Sequence, residues 1–281
     1  MRKAMRAIGR VLSAPFRALG ALARAIRAFF TYEPEDTPLA DTFAGAVQSP
    51  NLILEHLDAL RRHLLRAILF LAITTTFSFA FAQPLLEFLT RPLGGLSNLQ
   101  SIEVTENIGV FMRVSLLAGF ALAFPYIAFE LFAFVQSGLH RRSRLMVALA
   151  IPSATVLFLA GMAFAFFVMM PAAIPFLVSF LNIPVKVRPS SYINFVTGLL
   201  FWIGVSFQMP LVVYFLARLG VVRARQLGRQ WRIAVVGIAV LSAAVTPTVD
   251  PVNMLLVMAP MIVLYFLSIG LAAVAERQRK R

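Results

Sequence analysis

The feature that most restricts this chain is a succession of apolar runs about as long as a bilayer is thick. Beyond Asn51, six of them alternate with short polar joints, over about 64–82, 114–136, 145–170, 192–217, 233–246 and 252–275. A helix needs roughly 20 mainly apolar residues to cross the hydrocarbon core. Composition agrees, since 60% of residues are hydrophobic and 14% charged, against about 25% charged in soluble domains. An ordinary soluble domain is excluded, and the expected fold is an all-α membrane protein with six transmembrane helices. No repeat period of about 20 to 50 residues is visible, so a repeat architecture gains no support.

The formal net charge of +14 raises the question of nucleic acid, and the positions of the charges answer it. Ten basic residues fall in 1–66, three in the 138–144 joint, five in the 218–232 joint and four after 275. Only Arg91, Arg113, Lys186 and Arg188 occupy the intervening joints, so 22 of 26 basic residues lie on one side. By the positive-inside rule both termini are expected in the cytoplasm, in a cytoplasmic (inner) membrane. Charge divided among short joints, with no groove of interleaved aromatics, leaves no nucleic-acid partner. There is no cysteine, hence no disulfide, thiol nucleophile or thiolate metal site.

The charges also divide the chain. In residues 1–30, Arg2, Lys3, Arg6, Arg10, Arg17, Arg24 and Arg27 fall within about a third of a helical circle. Ile8, Val11, Leu12, Leu19, Leu22, Ile26, Phe29 and Phe30 gather opposite. This basic amphipathic pattern predicts a helix lying on anionic lipid, with Arg6, Arg10, Arg17 and Arg24 facing the headgroups. An organellar transit peptide and an upstream extension without function are the alternatives. Residues 31–50, with Glu33, Glu35, Asp36, Asp41 and prolines 34, 38 and 50, read as a flexible linker. A membrane domain over 51–276 and a basic tail over 277–281 complete the expected organisation.

Two properties of the runs bear on function. The fifth has 14 residues, reaching about 21 Å against a core of about 30 Å, so it must thin the bilayer or be shielded by neighbours. Pro125, Pro152, Pro210 and Pro260 lie inside spans, where each tends to bend its helix and give curved walls, unless the membrane simply tolerates it. No catalytic constellation, glycine-rich phosphate loop, metal site or cofactor site is found, so the chain is not expected to be an enzyme. His56, His63 and His140 sit at the cytoplasmic ends of helices without acids at metal-ligand spacing. Glu130 and Gln208 are the polar candidates within the spans. Glu130 either serves function or pairs with an arginine of the 141–144 cluster; Gln208 either faces a polar recess or hydrogen-bonds a neighbouring helix. Asp250, in the turn between the last two spans, either caps the final helix or binds something.

Several separated motifs, in order, resemble the TatC family of twin-arginine translocase components over about residues 51–275. The stretch from His56 through Leu57, Asp58, Arg61 and His63 to Leu64 looks like the amphipathic start of its first helix. Arg91-Pro92-Leu93 is similar to its outer proline motif, and Thr105-Glu106 followed by Arg113 to its outer acidic-then-basic segment. Pro125 through Phe132-Ala133-Phe134, then Gly138-Leu139-His140-Arg141-Arg142, resembles its second helix and first cytoplasmic loop. Gly161 to Val168 followed by Pro171, Gly204 to Pro210, and Thr246-Pro247-Thr248-Val249-Asp250-Pro251 complete the set.

The resemblance implies a curved, cup-like set of six helices with Gln208 facing the concavity. It implies a non-enzymatic receptor and assembly core of a Sec-independent translocase that exports folded proteins on the proton motive force. Twin-arginine signal peptides would dock on a cytoplasmic surface carrying Leu57, Asp58, Arg61, Phe134 and Arg144. Single-span subunits of the TatA and TatB type would pack against the helices in a homo- or hetero-oligomer. Pro92, Glu106, Thr246, Pro247 and Asp250 would form the outer-side motifs. The family usually has glutamate where Ala59 and Ser143 stand, and these carboxylates are the expected partners of the signal's guanidinium groups. Met254 and Phe266 also replace residues that are usually polar in the family. A TatC-like scaffold without signal binding therefore stays open. A small-solute secondary transporter is the reading from another class, though no matching half-helix interruptions support it.

Overall fold

The computed structural model describes residues 50–136, 144–179, 186–246 and 251–279, which are helical almost throughout. The expectations for residues 1–49, His140, Arg141, Arg142, Ser143, Pro247 and Asp250 lie outside the described residues. Helix α1 is Pro50–Ser78, followed by a 3₁₀ turn, Phe79–Phe81, and α2, Ala82–Thr90. Then come α3, Glu106–Gln136, and α4, Arg144–Phe164, joined through a π turn, Ala165–Met169, to α5, Met170–Ser179. Helices α6, Pro189–Ser206, and α7, Met209–Leu219, precede the short α8, Ala224–Arg229. The last two are α9, Trp231–Val245, and α10, Pro251–Arg279. Two compact units are distinguished: residues up to His63 with Glu130–Ala148, and Leu64–Phe129 with Leu149–Arg281.

Among the described residues, five helical stretches are long and apolar enough to cross a membrane: Leu57–Leu93, Glu106–Phe134, Leu149–Ser179, Pro189–Leu219 and Pro251–Arg279. The sixth apolar helix, α9, has 15 residues, about 22 Å at 1.5 Å per residue. The short fifth apolar run thus forms a helix, one residue longer than the run. Hydroxyl groups inside these helices bond backward to carbonyls of the preceding turn, as Thr74, Thr76, Ser78, Thr90, Ser115 and Thr197 do. That arrangement keeps a polar group satisfied where lipid offers no partner.

The structure departs from the apolar runs where prolines and tertiary contacts intervene. Helix α3 begins at Glu106, eight residues before its run. His63, placed by sequence at a helix end, lies within α1. The third span carries a π turn in which the Met170 N–H reaches the Ala165 carbonyl. Pro171 follows at once, has no N–H to give and would press on the carbonyl four residues back, so the wider turn relieves the clash. The fourth span breaks at Phe207–Gln208, because Pro210 cannot donate to the Ser206 carbonyl.

Within the second unit the core joins α2, α3, α5, α6, α9, α10 and the π turn around Met170, Ile193, Val196, Ile203, Val114 and Val257, all essentially without solvent exposure. Two close helix approaches rely on glycine. A Cβ on Gly119 in α3 would lie 2.5 Å from the Cα of Thr75 in α1. A Cβ on Gly161 in α4 would lie 2.9 Å from the Cα of Gly204 in α6. Small residues at crossings let backbones touch where lipid supplies no hydrophobic drive for association.

Candidate functional site

Three groups of polar residues stand out among the described residues. The first lies in the unit that holds the start of α1 and the end of α3. Along α1 the half-buried and buried positions 59, 63, 67, 70, 71, 74, 75 and 78 repeat at helical spacing, whereas Leu57, Asp58, Arg61 and Arg62 are exposed. His63 lies on the packed stripe, and its Nδ1 meets Glu130 Oε2 at 2.5 Å. Glu130 is only 3% exposed. The imidazole stands edge-on to Phe134 with centroids 6.1 Å apart.

Sequence reasoning offered Glu130 a partner in the 141–144 arginine cluster, whose side chains lie outside those described; among the described residues its partner is His63. No local pattern signals a pair 67 residues apart; only the shared depth of the two residues in their helices hints at it. Ala59 lies one turn before His63 on the same stripe. Asp58 lies on the exposed face, so it does not occupy the place a carboxylate at position 59 would take. Leu57, Asp58 and Arg61 share that exposed face, Phe134 backs His63, and Arg144 is the first residue of α4.

The second group lies at the start of α3. Glu106 is 6% exposed, and its carboxylate accepts from the Ser190 N–H at 2.9 Å and the Ser190 hydroxyl at 2.5 Å. It also accepts from the Ile102 N–H at 3.0 Å and the Ser101 hydroxyl at 3.3 Å. Arg188 Nε stands 3.5 Å away, and Arg188 donates to Glu103 at 2.8 Å. Glu103 first, then Glu106, hold the Arg188 guanidinium above its ordinary pKa. Arg113 hydrogen-bonds Asn194, and the group lines a cavity of about 230 Å³.

These contacts tie the loop before α3 to the start of α6, which is why α3 can begin eight residues before its apolar run. The start of α6 is held further by the Tyr192 hydroxyl donating to Leu89 O of α2 at 2.9 Å, and the loop by Gln100 N–H to Val187 O at 3.0 Å. Pro92 lies half-buried in a 3₁₀ turn, Arg91–Leu93, of the same loop. Glu103, Arg188, Ser190 and Asn194 were missed by sequence reasoning; the basic Lys186–Arg188 pair in an otherwise uncharged joint was the available signal. Thr246 does not join this group, because its hydroxyl turns back to Ser242 O at 2.8 Å.

The third is Gln208, at the break between α6 and α7. Its amide donates to the Ala154 carbonyl of α4 at 3.1 Å, the helix-to-helix bond that was one of its two expected roles.

A family model for Sec-independent protein translocase protein (TatC) matches residues 55–260. The chain belongs to the TatC family. It is 32% identical over 250 residues to the Sec-independent protein translocase protein TatC of Deinococcus radiodurans, covering 86% of this chain and 92% of that relative. The TatC of Synechocystis is 33% identical over 220 residues, covering 78% and 86% respectively. Among solved structures, the crystal structure of the twin-arginine translocase receptor TatC superposes with a TM-score of 0.71 at 29% identity. It spans 78% of this chain and 99% of that one. The all-α multi-span architecture expected from the sequence is the TatC fold, and the family is a translocase component rather than an enzyme.

Proposed function

We propose that this TatC-family chain is the multi-pass receptor and assembly core of a twin-arginine translocase, in the inner membrane with both termini cytoplasmic. The observation that carries this reading is the superposition on the twin-arginine translocase receptor over nearly all of that structure. In this role signal peptides of folded cargo dock around Leu57, Asp58, Arg61, Phe134 and Arg144, and TatA- and TatB-type subunits pack on the spans, with the proton motive force driving export. Helix α9, about 22 Å long, thins the bilayer beside it. Glu130 and Gln208 are structural polar anchors on this reading, each held by a partner within the protein.

A second reading, a TatC-like scaffold that no longer binds the signal, is favoured by one feature. Ala59 stands on the His63 face where a carboxylate would meet a guanidinium, while Arg61 and Arg62 are exposed nearby. Photo-crosslinkers at positions 58, 61 and 143, with a twin-arginine signal peptide, separate the two readings. The receptor reading predicts crosslinks that disappear when the arginine pair is replaced by lysines. Loss of all signal crosslinks while crosslinks from α9 to partner helices persist would leave the scaffold.

A further inference from the structure

Where α7 ends, the chain turns through Gly220 at φ 80°, and the end of α10 packs beside it on Ala217, Ala272 and Ala275, which have no solvent exposure. Between them lies a cavity of about 480 Å³ lined by Ala217, Gly220, Val222, Arg223, Glu276 and Arg279. Glycine at 220 is required for its left-handed backbone, and the Arg279 guanidinium lies over the space its missing side chain leaves.

Two guanidinium groups, those of Arg223 and Arg279, line the cavity. A third, Arg218, follows the lining residue Ala217 in α7 and has a buried Nη1 with no hydrogen-bond partner. Among the described residues none of the three is within ion-pair distance of a carboxylate. Glu276 is the one acid at the wall, and its Oε1 is committed to the Ala224 N–H at 2.6 Å. The carbonyls at the end of α7 do not need Arg279 as a cap. Leu216 O already accepts from Val221 N–H and Ala217 O from Gly220 N–H, at 2.9 and 3.1 Å.

Arg223 and Arg279 are exposed at the cavity with no carboxylate partner among the described residues, and the forked geometry of a guanidinium matches a phosphate. The cavity also lies at the ends of two spanning stretches, Pro189–Leu219 and Pro251–Arg279, beside the basic 218–232 joint. That is the depth at which phospholipid phosphates lie. We propose that this cavity binds a phosphate-bearing anion, supplied in the membrane by the headgroup of an anionic phospholipid. The site is separate from the signal-docking surface and stands whether or not the chain binds signals.

The test uses the full chain in detergent, with native mass spectrometry counting retained lipids and thermal unfolding giving apparent affinity. Phosphatidylglycerol, phosphatidylcholine and inorganic phosphate are the probes. The wild type should retain one more phosphatidylglycerol than Arg223→Gln/Arg279→Gln, whose apparent affinity should fall at least about tenfold. Phosphatidylcholine should show no difference, and Arg229→Gln, on exposed α8, should behave as wild type. Should the double variant fail to fold, Arg223→Gln alone, at an exposed position, should still weaken binding severalfold. Inorganic phosphate stabilising the wild type at millimolar concentration and displacing the lipid would assign the site to the free ion and overturn the headgroup. Equal phosphatidylglycerol retention by wild type and variants, or no effect of any anion on the wild type, would overturn the site itself.

Discussion

The crossing of α4 and α6 gives the sharpest physical prediction. Phe158 has no solvent exposure, stacks on Phe124 at 4.1 Å and 9°, and has Phe120 5.6 Å away. Its ring occupies the space that the missing side chain of Gly204 leaves, for a Cβ on Gly204 would lie 2.7 Å from Phe158 Cε2 and 3.2 Å from Met162 Cγ. Phe158→Ala removes about 100 Å³ of side chain, which at about 24 cal/mol per Å³ costs about 2.4 kcal/mol. The transfer contribution that would add to this in water largely vanishes in lipid, where the separated helix is also in an apolar medium. Gly204→Ala overpacks the crossing and costs about 1–3 kcal/mol. In the double variant the new methyl enters the space the ring vacated, so the total falls short of the sum by about 1–2 kcal/mol. Equilibrium unfolding of the purified protein in mixed micelles with increasing dodecyl sulfate measures all three. Additivity within about 0.5 kcal/mol would refute the claim that ring and glycine share one space.

Other consequences follow from single contacts. Gly119→Val should abolish monodisperse folded protein on size-exclusion chromatography, because its Cβ meets the Thr75 backbone rather than a movable side chain. Tyr192→Phe should lose about 1 kcal/mol in the same micelle titration, since the Leu89 carbonyl then lacks its hydroxyl donor. Glu106→Gln should lower the thermal midpoint more than Glu103→Gln. The amide turns an NH₂ toward donors already aimed at Glu106, whereas Glu103 is exposed and pairs with Arg188 alone; equal shifts would contradict the network. His63→Leu should destabilise by about 1–3 kcal/mol by leaving the buried Glu130 carboxyl without its partner, and Glu130→Gln, which keeps a hydrogen bond to His63, should cost less.

The spans were legible because lipid imposes a length and a composition that a bare sequence displays. The shortness of α9 was legible on the same ground. Helix breaks were less so. Pro210 and Pro171 lie beside real interruptions, yet Pro125, Pro152 and Pro260 sit inside continuous helices, and only tertiary packing decides between the two outcomes. The polar sites were half legible. Glu130 and Gln208 stood out as polar residues within the spans and Glu106 only through the family motif, but the partners of Glu106, Glu130 and Gln208 lie 84, 67 and 54 residues away. No periodicity carries such distances. The expectation of a carboxylate at position 59 rested on the resemblance alone, and the structure adds that Asp58 lies on the exposed face, off the stripe that Ala59 shares with His63.

The most direct measurement is export of a twin-arginine reporter in cells whose only TatC is this chain, supplied with its TatA- and TatB-type partners. The account predicts weak export by the natural chain and clearly stronger export by Ala59→Glu/Ser143→Glu, with none for a reporter whose arginine pair is replaced by lysines. A membrane-inserted, stably folded chain that exports nothing, and whose double variant also exports nothing, would contradict it.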